Sequence, residues 1–336
     1  MNKELVIINN ESVHQVENNF YCDNIAIKSV SEGLSKNFKI TTILRRSKVK
    51  RSHKINLSKI ELAGNLFTFL LSIFKTFKDK NTKYLLVSVT PYTFFAHLLL
   101  FLFNKKIFLY LRSNGYEEYK AIFGFVGPLI YHFMFSLVKL KSKIIVCQKR
   151  LLNKKDCHLV YPSELENIWF NEIKNAKLDK PRLLYIGRIK VEKGIFSLIK
   201  ILEEMKIDFE LSIVGKPNEL KLTNKKINYL GYIDDPKKLI DIHDKHNIFI
   251  LPSFTEAHPQ VVDESLARFR PVIIFEEINH IIQNRSGVLI AKRNFQSLSE
   301  KINLVMKNYP QITKDMSSNQ LPTKKNFIEQ MTTILN

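Results

Sequence analysis

Apolar, strand-like runs alternate with helix-length segments along nearly the whole of this 336-residue chain, and that alternation is what most narrows its fold. A short continuous apolar run needs cover on both faces, and a helix leading to the next run supplies both the cover and the crossover. The runs predict strands at 4–8, 38–44, 84–89, 106–111 and 143–147, then at 182–187, 209–214, 227–231, 247–251, 271–275 and 287–290. Helices are predicted over 22–36, 61–78, 91–103 and 121–140, then over 194–206, 235–244, 259–268 and 295–308. The fold class is therefore α/β with parallel sheets. A chain of this length exceeds one compact domain, and the stretch ELENIWFNEIKNAKLDK at 164–180 loses the strand pattern before Pro181. We expect a first domain over 1–165, a linker over 166–180, a second domain over 181–322 and a closing helix over 323–336.

Charge is uneven. Residues 1–170 carry 26 Lys and Arg against 12 Asp and Glu, so most of the net +20 lies in the first half. A basic half implies an anionic partner, and nucleic acid, acidic lipid and phosphorylated substrates all qualify. No zinc pattern, aromatic-basic RNA motif or helix-turn-helix accompanies the charge, which disfavours nucleic acid. Cys22, Cys147 and Cys157 are odd in number and scattered, so neither a disulfide framework nor a C-x-x-C metal pair is offered. The first apolar run, LVII, is too brief for the core of a signal peptide. A cytoplasmic location is expected.

Two apolar segments, 90–106 and 122–143, leave two readings open. Each is short or interrupted for a membrane span, the second by Gly124, Gly127, Pro128 and His132, which fits helices packed on a sheet. Alternatively an aromatic-rich helix dips into a bilayer while Lys139, Lys141, Lys143 and the run RRSKVKRSHK at 45–54 meet acidic headgroups at the inner face of the membrane.

Site chemistry concentrates in the second half. LLYIGRIKVEKG at 183–194 is a strand ending in Gly187, followed by Arg188 and Lys193. Ligands of open parallel sheets bind at the carboxyl ends of strands, where Arg188 can fork onto phosphate oxygens and Lys193 adds a point charge. The run NIFILPSFTEAHPQVVDESLARFRPVII at 247–274 places Pro259 as the first residue of a helix. The helix would present N–H groups near Gln260 to Val262 and its positive dipole end to an anion. Glu256 precedes that helix and Glu264 lies inside it, so two carboxylates flank the cradle and can accept hydrogen bonds from paired hydroxyls.

Taken in order with LSIVGKPNEL at 211–220 and INYLGYID at 227–234, these motifs resemble the donor domain of glycosyltransferase family 4. The resemblance covers about 110 to 150 residues and implies a GT-B fold: two Rossmann-like, doubly wound parallel-sheet domains facing a central cleft. It implies a retaining, metal-independent transfer from a UDP- or GDP-type nucleotide sugar to a saccharide or lipid-linked acceptor in cell-surface polysaccharide or lipopolysaccharide synthesis. No cofactor is implied beyond that co-substrate. Arg188 and Lys193 would hold the diphosphate, Glu256 the transferred sugar and Glu264 the ribose. Gly187 and the stretch Ala257, His258, Pro259, Gln260 and Val261 would wrap sugar and phosphate, with Gly215, Lys216 and Ile233 nearer the nucleotide. Arg188, Lys193 and Glu256 are the catalytic candidates. His258 departs from the bulky apolar residue often found there.

The first half resembles the family loosely. No Gly-rich loop follows the first strand, and FLYLRSNGYEEY at 108–119 offers Arg112, Ser113 and Asn114 where many members have a histidine. These three, with His14 in the expected first-strand loop, are the acceptor-side candidates. A D-x-D triplet is absent; Asp234 and Asp235 read as a helix cap before Pro236. The alternatives are a catalytically lapsed or nucleotide-sugar-isomerising GT-B protein and, more remotely, a basic nucleic-acid-binding protein.

Overall fold

The computed structural model describes residues 3–51, 53–148, 157–216, 224–256 and 258–336. Its contacts divide the chain into two units, Met1–Glu164 with Lys324–Asn336, and Leu165–Thr323.

The first unit opens with β1 (Lys3–Val16), β2 (Asn19–Cys22), α1 (Ile25–Leu34), β3 (Phe38–Ser47), β4 (His53–Ile55) and β5 (Ile60–Ala63). Then come α2 (Leu66–Phe74), β6 (Lys83–Val87), α3 (Pro91–Leu102), β7 (Lys106–Leu111), α4 (Gly115–Phe123), α5 (Gly127–Val138), β8 (Ser142–Val146) and β9 (Cys157–Leu159). The sheet runs β4-β2-β1-β6-β7-β8-β9, with β3 joining β1 to β5. From β5 to β9 all pairings are parallel, as the apolar runs require. Cap chemistry fixes the helix starts: Thr90 and Thr93 form a reciprocal capping box with Pro91 in the first turn, and Asn65 with Thr68 does the same for α2. One sheet face is covered by α2, α3, α4 and α5 and the other by α1.

Three expectations for this unit change. The first strand does not end at 8: it passes a register shift between Ile8 and Ser12, then turns back at Glu17 into the antiparallel β2. A small core of Val13, Cys22, Ile27, Leu44 and Ile55 holds this extension. The helix expected over 61–78 begins only after the Asn65 cap, because Ile60–Ala63 pairs with β3. The helix expected over 121–140 is two helices folded back on each other, with Gly124 at φ 63 in the turn. Gly115 and Gly127 permit the close approach, since a Cβ on Gly115 would lie 2.0 Å from the Tyr131 ring and one on Gly127 1.9 Å from the Tyr119 carbonyl oxygen.

The second unit contains β10 (Arg182–Ile186), α6 (Ile195–Glu203), β11 (Glu210–Val214), β12 (Ile227–Tyr229), α7 (Pro236–Lys245), β13 (Ile248–Leu251), α8 (Gln260–Ala267), β14 (Val272–Phe275), β15 (Val288–Ala291) and α9 (Phe295–Met316). Its sheet, β12-β11-β10-β13-β14-β15, is parallel throughout. α6 and α9 cover one face, while α7 and α8 cover the other. Asp235 caps α7 by accepting from the Lys238 N–H at 2.9 Å.

Residues 166–180, read from sequence as a linker, are tied into this second unit. Trp169 is buried with Leu165 and Ala267. The fully buried Arg268 guanidinium pairs with Asp244 and donates to the carbonyls of Trp169, Asn171 and Glu172. Arg270 likewise donates to the Lys174 and His243 carbonyls. Polar composition hid these bonds, because a loop held through its backbone carbonyls needs no apolar residues of its own.

The chain closes with α10 (Lys324–Leu335), which belongs to the first unit and completes the α1-covered face with Phe327, Met331 and Leu335. Each such burial is worth about 1.5–3 kcal/mol. Lys83 Nζ fastens the end of the helix by donating to the carbonyl oxygens of Leu335 and Asn336.

Candidate active site

At the carboxyl edge of the second sheet, β10 is followed by Gly187, whose N–H donates to the Val214 carbonyl at 2.9 Å. Gly215 follows β11 so closely that a Cβ there would lie 1.9 Å from the Gly187 oxygen. Beyond Gly187 the exposed Arg188 is held by its backbone, its carbonyl accepting from the Tyr185 hydroxyl at 2.8 Å. Burial raises the Tyr185 pKa, so that hydroxyl stays a donor at neutral pH. A single turn over Val191–Lys193 then ends at Gly194, with φ 67. A Cβ at Gly194 would lie 1.8 Å from the Pro252 oxygen, so only glycine lets the loops after β10 and β13 meet.

Their meeting joins two charges. Lys193 Nζ lies 2.6 Å from Glu256 Oε1, and the Ser253 hydroxyl donates to the same oxygen at 2.7 Å. The loop carrying Glu256 is pinned from several sides. Arg293 lies over the Phe254 and Phe275 rings at 4.0 and 4.4 Å, pairs with Glu277 and donates to the Pro252 carbonyl. His280 Nε2 lies 2.8 Å from the Glu256 carbonyl oxygen. Ser253, His280 and Arg293 escaped the sequence reading; only Ser253 lies inside a motif, and the other two come from 24 and more residues downstream with no local signal.

The loop leads into α8, which begins at Gln260, with Pro259 one position earlier than expected, at the cap. The Val262 N–H, expected to be available to an anion, bonds the Pro259 carbonyl within the first turn. A recess of about 260 Å³ lies here, lined by Gly187, Arg188, Lys193, Glu256, Pro259, Gln260 and Val261 together with Tyr185, Ile186 and Leu251. It brings a guanidinium, an ammonium, a carboxylate and the positive end of a helix dipole to one wall-lined space. That combination suits a phosphate ester carrying hydroxyls.

The remaining described candidates of this unit are not among the residues that line the recess. Gly215 packs against Gly187, and its own carbonyl accepts from the Tyr229 hydroxyl at 2.6 Å. Lys216 lies over the Tyr232 ring at 4.7 Å, and Ile233 is partly buried against the α7–α8 core. Glu264 is half-buried on α8. His258 is not among the lining residues: its Nε2 lies 3.1 Å from Asp263 Oδ2, and Asp263 also pairs with Arg285. Ala257 lies outside the described residues.

In the first unit His14 is a sheet residue rather than a loop residue. It sits in β1 opposite Tyr21, with Nδ1 3.1 Å from the Ser47 carbonyl oxygen. Arg112 follows β7 and donates to Asn24 at 3.4 Å. Ser113 leads into Asn114, which caps α4 by accepting from the Tyr116 N–H at 3.1 Å and donates to Glu117 at 2.9 Å. Sequence reasoning missed Glu11, whose carboxyl pKa is raised by burial against the opposing pull of Arg51, Arg112 and Arg45. It occupies the stretch where a glycine loop was sought.

Residues 167–321 match the family model described as "Glycosyl transferases group 1". The chain is 28% identical over 233 residues to the N,N'-diacetylbacillosaminyl-diphospho-undecaprenol alpha-1,3-N-acetylgalactosaminyltransferase of Campylobacter jejuni, covering 63% of this chain and 60% of that one. Alignments with the curated relatives span 60% of their length or less. Among solved structures, Anabaena Alr3699/HepE in complex with UDP and glucose superposes with a TM-score of 0.69 at 10% identity over 99% of both chains. WaaG, a glycosyltransferase involved in lipopolysaccharide biosynthesis, superposes at 0.64 and 12% identity over 98% of this chain and 99% of that one. Residues 167–321, which contain the whole recess, thus match the glycosyl transferases group 1 family model, and the chain that carries them has the GT-B fold.

Proposed function

We propose that this chain is a retaining glycosyltransferase, moving a sugar from a UDP- or GDP-type nucleotide sugar to a saccharide or lipid-linked acceptor in cell-surface polysaccharide or lipopolysaccharide synthesis. The observation that carries this reading is the recess itself, where Arg188, the Lys193–Glu256 pair and the first turn of α8 converge within the family-matched segment. The relatives' names support the acceptor class, since one acts on a diphospho-undecaprenol-linked sugar and another serves lipopolysaccharide synthesis.

In this reading the donor diphosphate lies against Arg188, Lys193 and the α8 N-terminus. Charge that builds on the departing diphosphate is offset by groups already in place, so little reorganisation is needed as the bond breaks. The anomeric carbon loses its bond to the phosphate oxygen and gains one to the acceptor oxygen on the same face. The acceptor's proton passes to the departing phosphate, so no protein base is required. Glu256 holds sugar hydroxyls, and Glu264 the ribose. The two cations and the helix dipole supply the positive charge that a divalent ion supplies elsewhere, and transfer is proposed to be metal-independent. The proposed place of work is the inner face of the cytoplasmic membrane.

Thermal shift against a panel of nucleotide sugars tests the reading, because a ligand of the folded state raises stability with the logarithm of its concentration over Kd. One nucleoside-diphosphate series should raise Tm in the wild-type protein and fail to do so in Arg188→Ala. A flat response across the panel would overturn it.

A further inference from the structure

Four helices of the first unit cover one sheet face, and their outward sides are apolar where a water-facing helix is polar. On α2 the exposed residues Phe67, Leu71 and Phe74 form a stripe, and Phe95 and Leu102 of α3, with Phe103 just past its end, continue it. The folded-back pair α4–α5 adds Ile122, Phe123, Leu129 and Phe133, and its turn presents Phe125 at 86% exposure. The stripes adjoin: Phe74 and Phe103 ring centroids are 5.5 Å apart, and Phe94 of α3 reaches Phe133 at 6.1 Å. Because these helices share one underlying core, their outer sides face the same way. The stretch Gly115–Val138 is long and apolar enough to cross a membrane by composition, yet only 22% of its most apolar window is buried, and the reversal at Gly124 divides it into two short helices. Neither approaches the roughly 20 residues a span requires.

The rim is basic. α2, α3 and α5 run into the amino ends of the parallel strands β6, β7 and β8, so their carboxyl ends share one edge of the sheet. That edge carries Lys75, Lys78, Lys80, Lys105, Lys106, Lys139, Lys141 and Lys143, with the acids Asp79 and Glu4, the latter paired with Lys39. Three hold the ammonium over an aromatic ring, Lys105 over Phe77 at 4.5 Å, Lys141 over Phe101 at 5.0 Å and Lys143 over Phe108 at 5.7 Å. Glu117 and Glu118 stand in the first turn of α4, away from its Phe125 end. The 45–54 run contributes less than its charge promises, since Arg51 is paired with Asp23 and Arg45 lies over Tyr92.

We infer that this face is a monotopic docking surface for an anionic bilayer, with the α4–α5 turn at Phe125 and Leu129 among the acyl chains and the lysine edge at the headgroups. An apolar face with a basic border fits that partner, whereas the apolar patch of an ordinary monomer is small and scattered. The inference deepens the location proposed above and needs neither donor nor acceptor.

The test uses the full chain carrying Phe125→Trp, whose new indole is read against the buried Trp169. Flotation with phosphatidylglycerol-containing vesicles, a blue-shifted emission on binding and quenching by brominated acyl chains are expected. Phe125→Asp with Leu129→Asp should cut vesicle binding at least tenfold at unchanged Tm. Lys75→Glu with Lys139→Glu should remove the preference for anionic over neutral vesicles. Flotation without quenching, no flotation, or a lipid-free dimer that buries the new indole would each overturn the inference. Nucleotide binding without lipid should be equal in the Asp variant and wild type; its loss in wild type would strike the transferase reading and leave docking standing.

Discussion

Lys193 Nζ and Glu256 Oε1 are 2.6 Å apart, a pairing that joins the loop after β10 to the loop after β13 at the mouth of the recess. The ammonium that would meet a diphosphate is thus oriented by the carboxylate that would meet the sugar. Glu256→Gln releases Lys193 while keeping a side chain that hydrogen-bonds hydroxyls. By calorimetry, nucleoside diphosphate alone should bind as tightly as before or tighter, while sugar transfer falls more than tenfold. Parallel losses in both would mean that Glu256 merely holds the loop.

Arg188 is exposed and Glu264 half-buried on α8. Arg188→Ala and Glu264→Ala should each lower nucleotide-sugar turnover more than tenfold. Arg188→Ala should change stability by no more than about 0.5 kcal/mol, as exposed substitutions do. Unchanged turnover in either, at matched Tm, would contradict the donor-site assignment.

His243 is fully buried, edge-on to Trp169 at 5.8 Å, and burial, then His246, Arg270 and Arg268, pushes its pKa down to about 3. Its folded pKa lies below the unfolded value of about 6.5. The native state therefore carries the neutral ring, and stability is undiminished above pH 6.5. As pH falls below that, the unfolded chain takes a proton the native state refuses, and stability declines by up to about 1.4 kcal/mol per pH unit. Thermal unfolding between pH 7 and 5 should be steeper for wild type than for His243→Phe. Equal slopes would remove His243 from the account.

Arg268 holds the 169–172 segment through three carbonyls and pairs with buried Asp244. Arg268→Met leaves that carboxylate and those carbonyls undercompensated, a change expected to cost about 3–5 kcal/mol. Urea unfolding followed by the fluorescence of Trp169, the one tryptophan of the chain, measures both the loss and any earlier release of the segment.

The strands of the second unit were legible almost to the residue, because runs such as NIFIL and PVII are buried on both faces and carry no polar interruption. The recess was legible for a related reason: Gly187, Gly194 and Pro259 are backbone requirements that show in the sequence itself. What escaped depends on long-range pairing. β2, β4 and β9 are three or four residues each, too short for a period to register, and the extension of β1 through NNESVHQV is stabilised by strands it meets only after folding. Arg293 and His280 support Glu256 from the far side of β14, where nothing local marks them. The apolar segment at 122–143 was ambiguous because composition alone does not distinguish burial from exposure; Phe125 and Leu129 had to be placed before the difference appeared.

The most direct test of the central claim is proton NMR of the product made from an α-linked nucleotide sugar, with EDTA present and a lipid-linked saccharide fraction as acceptor. One nucleoside diphosphate should be released per new α-glycosidic bond, at a rate EDTA does not lower and Arg188→Ala does. A β-linked product, free or isomerised sugar in place of a glycoside, or turnover that EDTA abolishes and magnesium or manganese restores would contradict it.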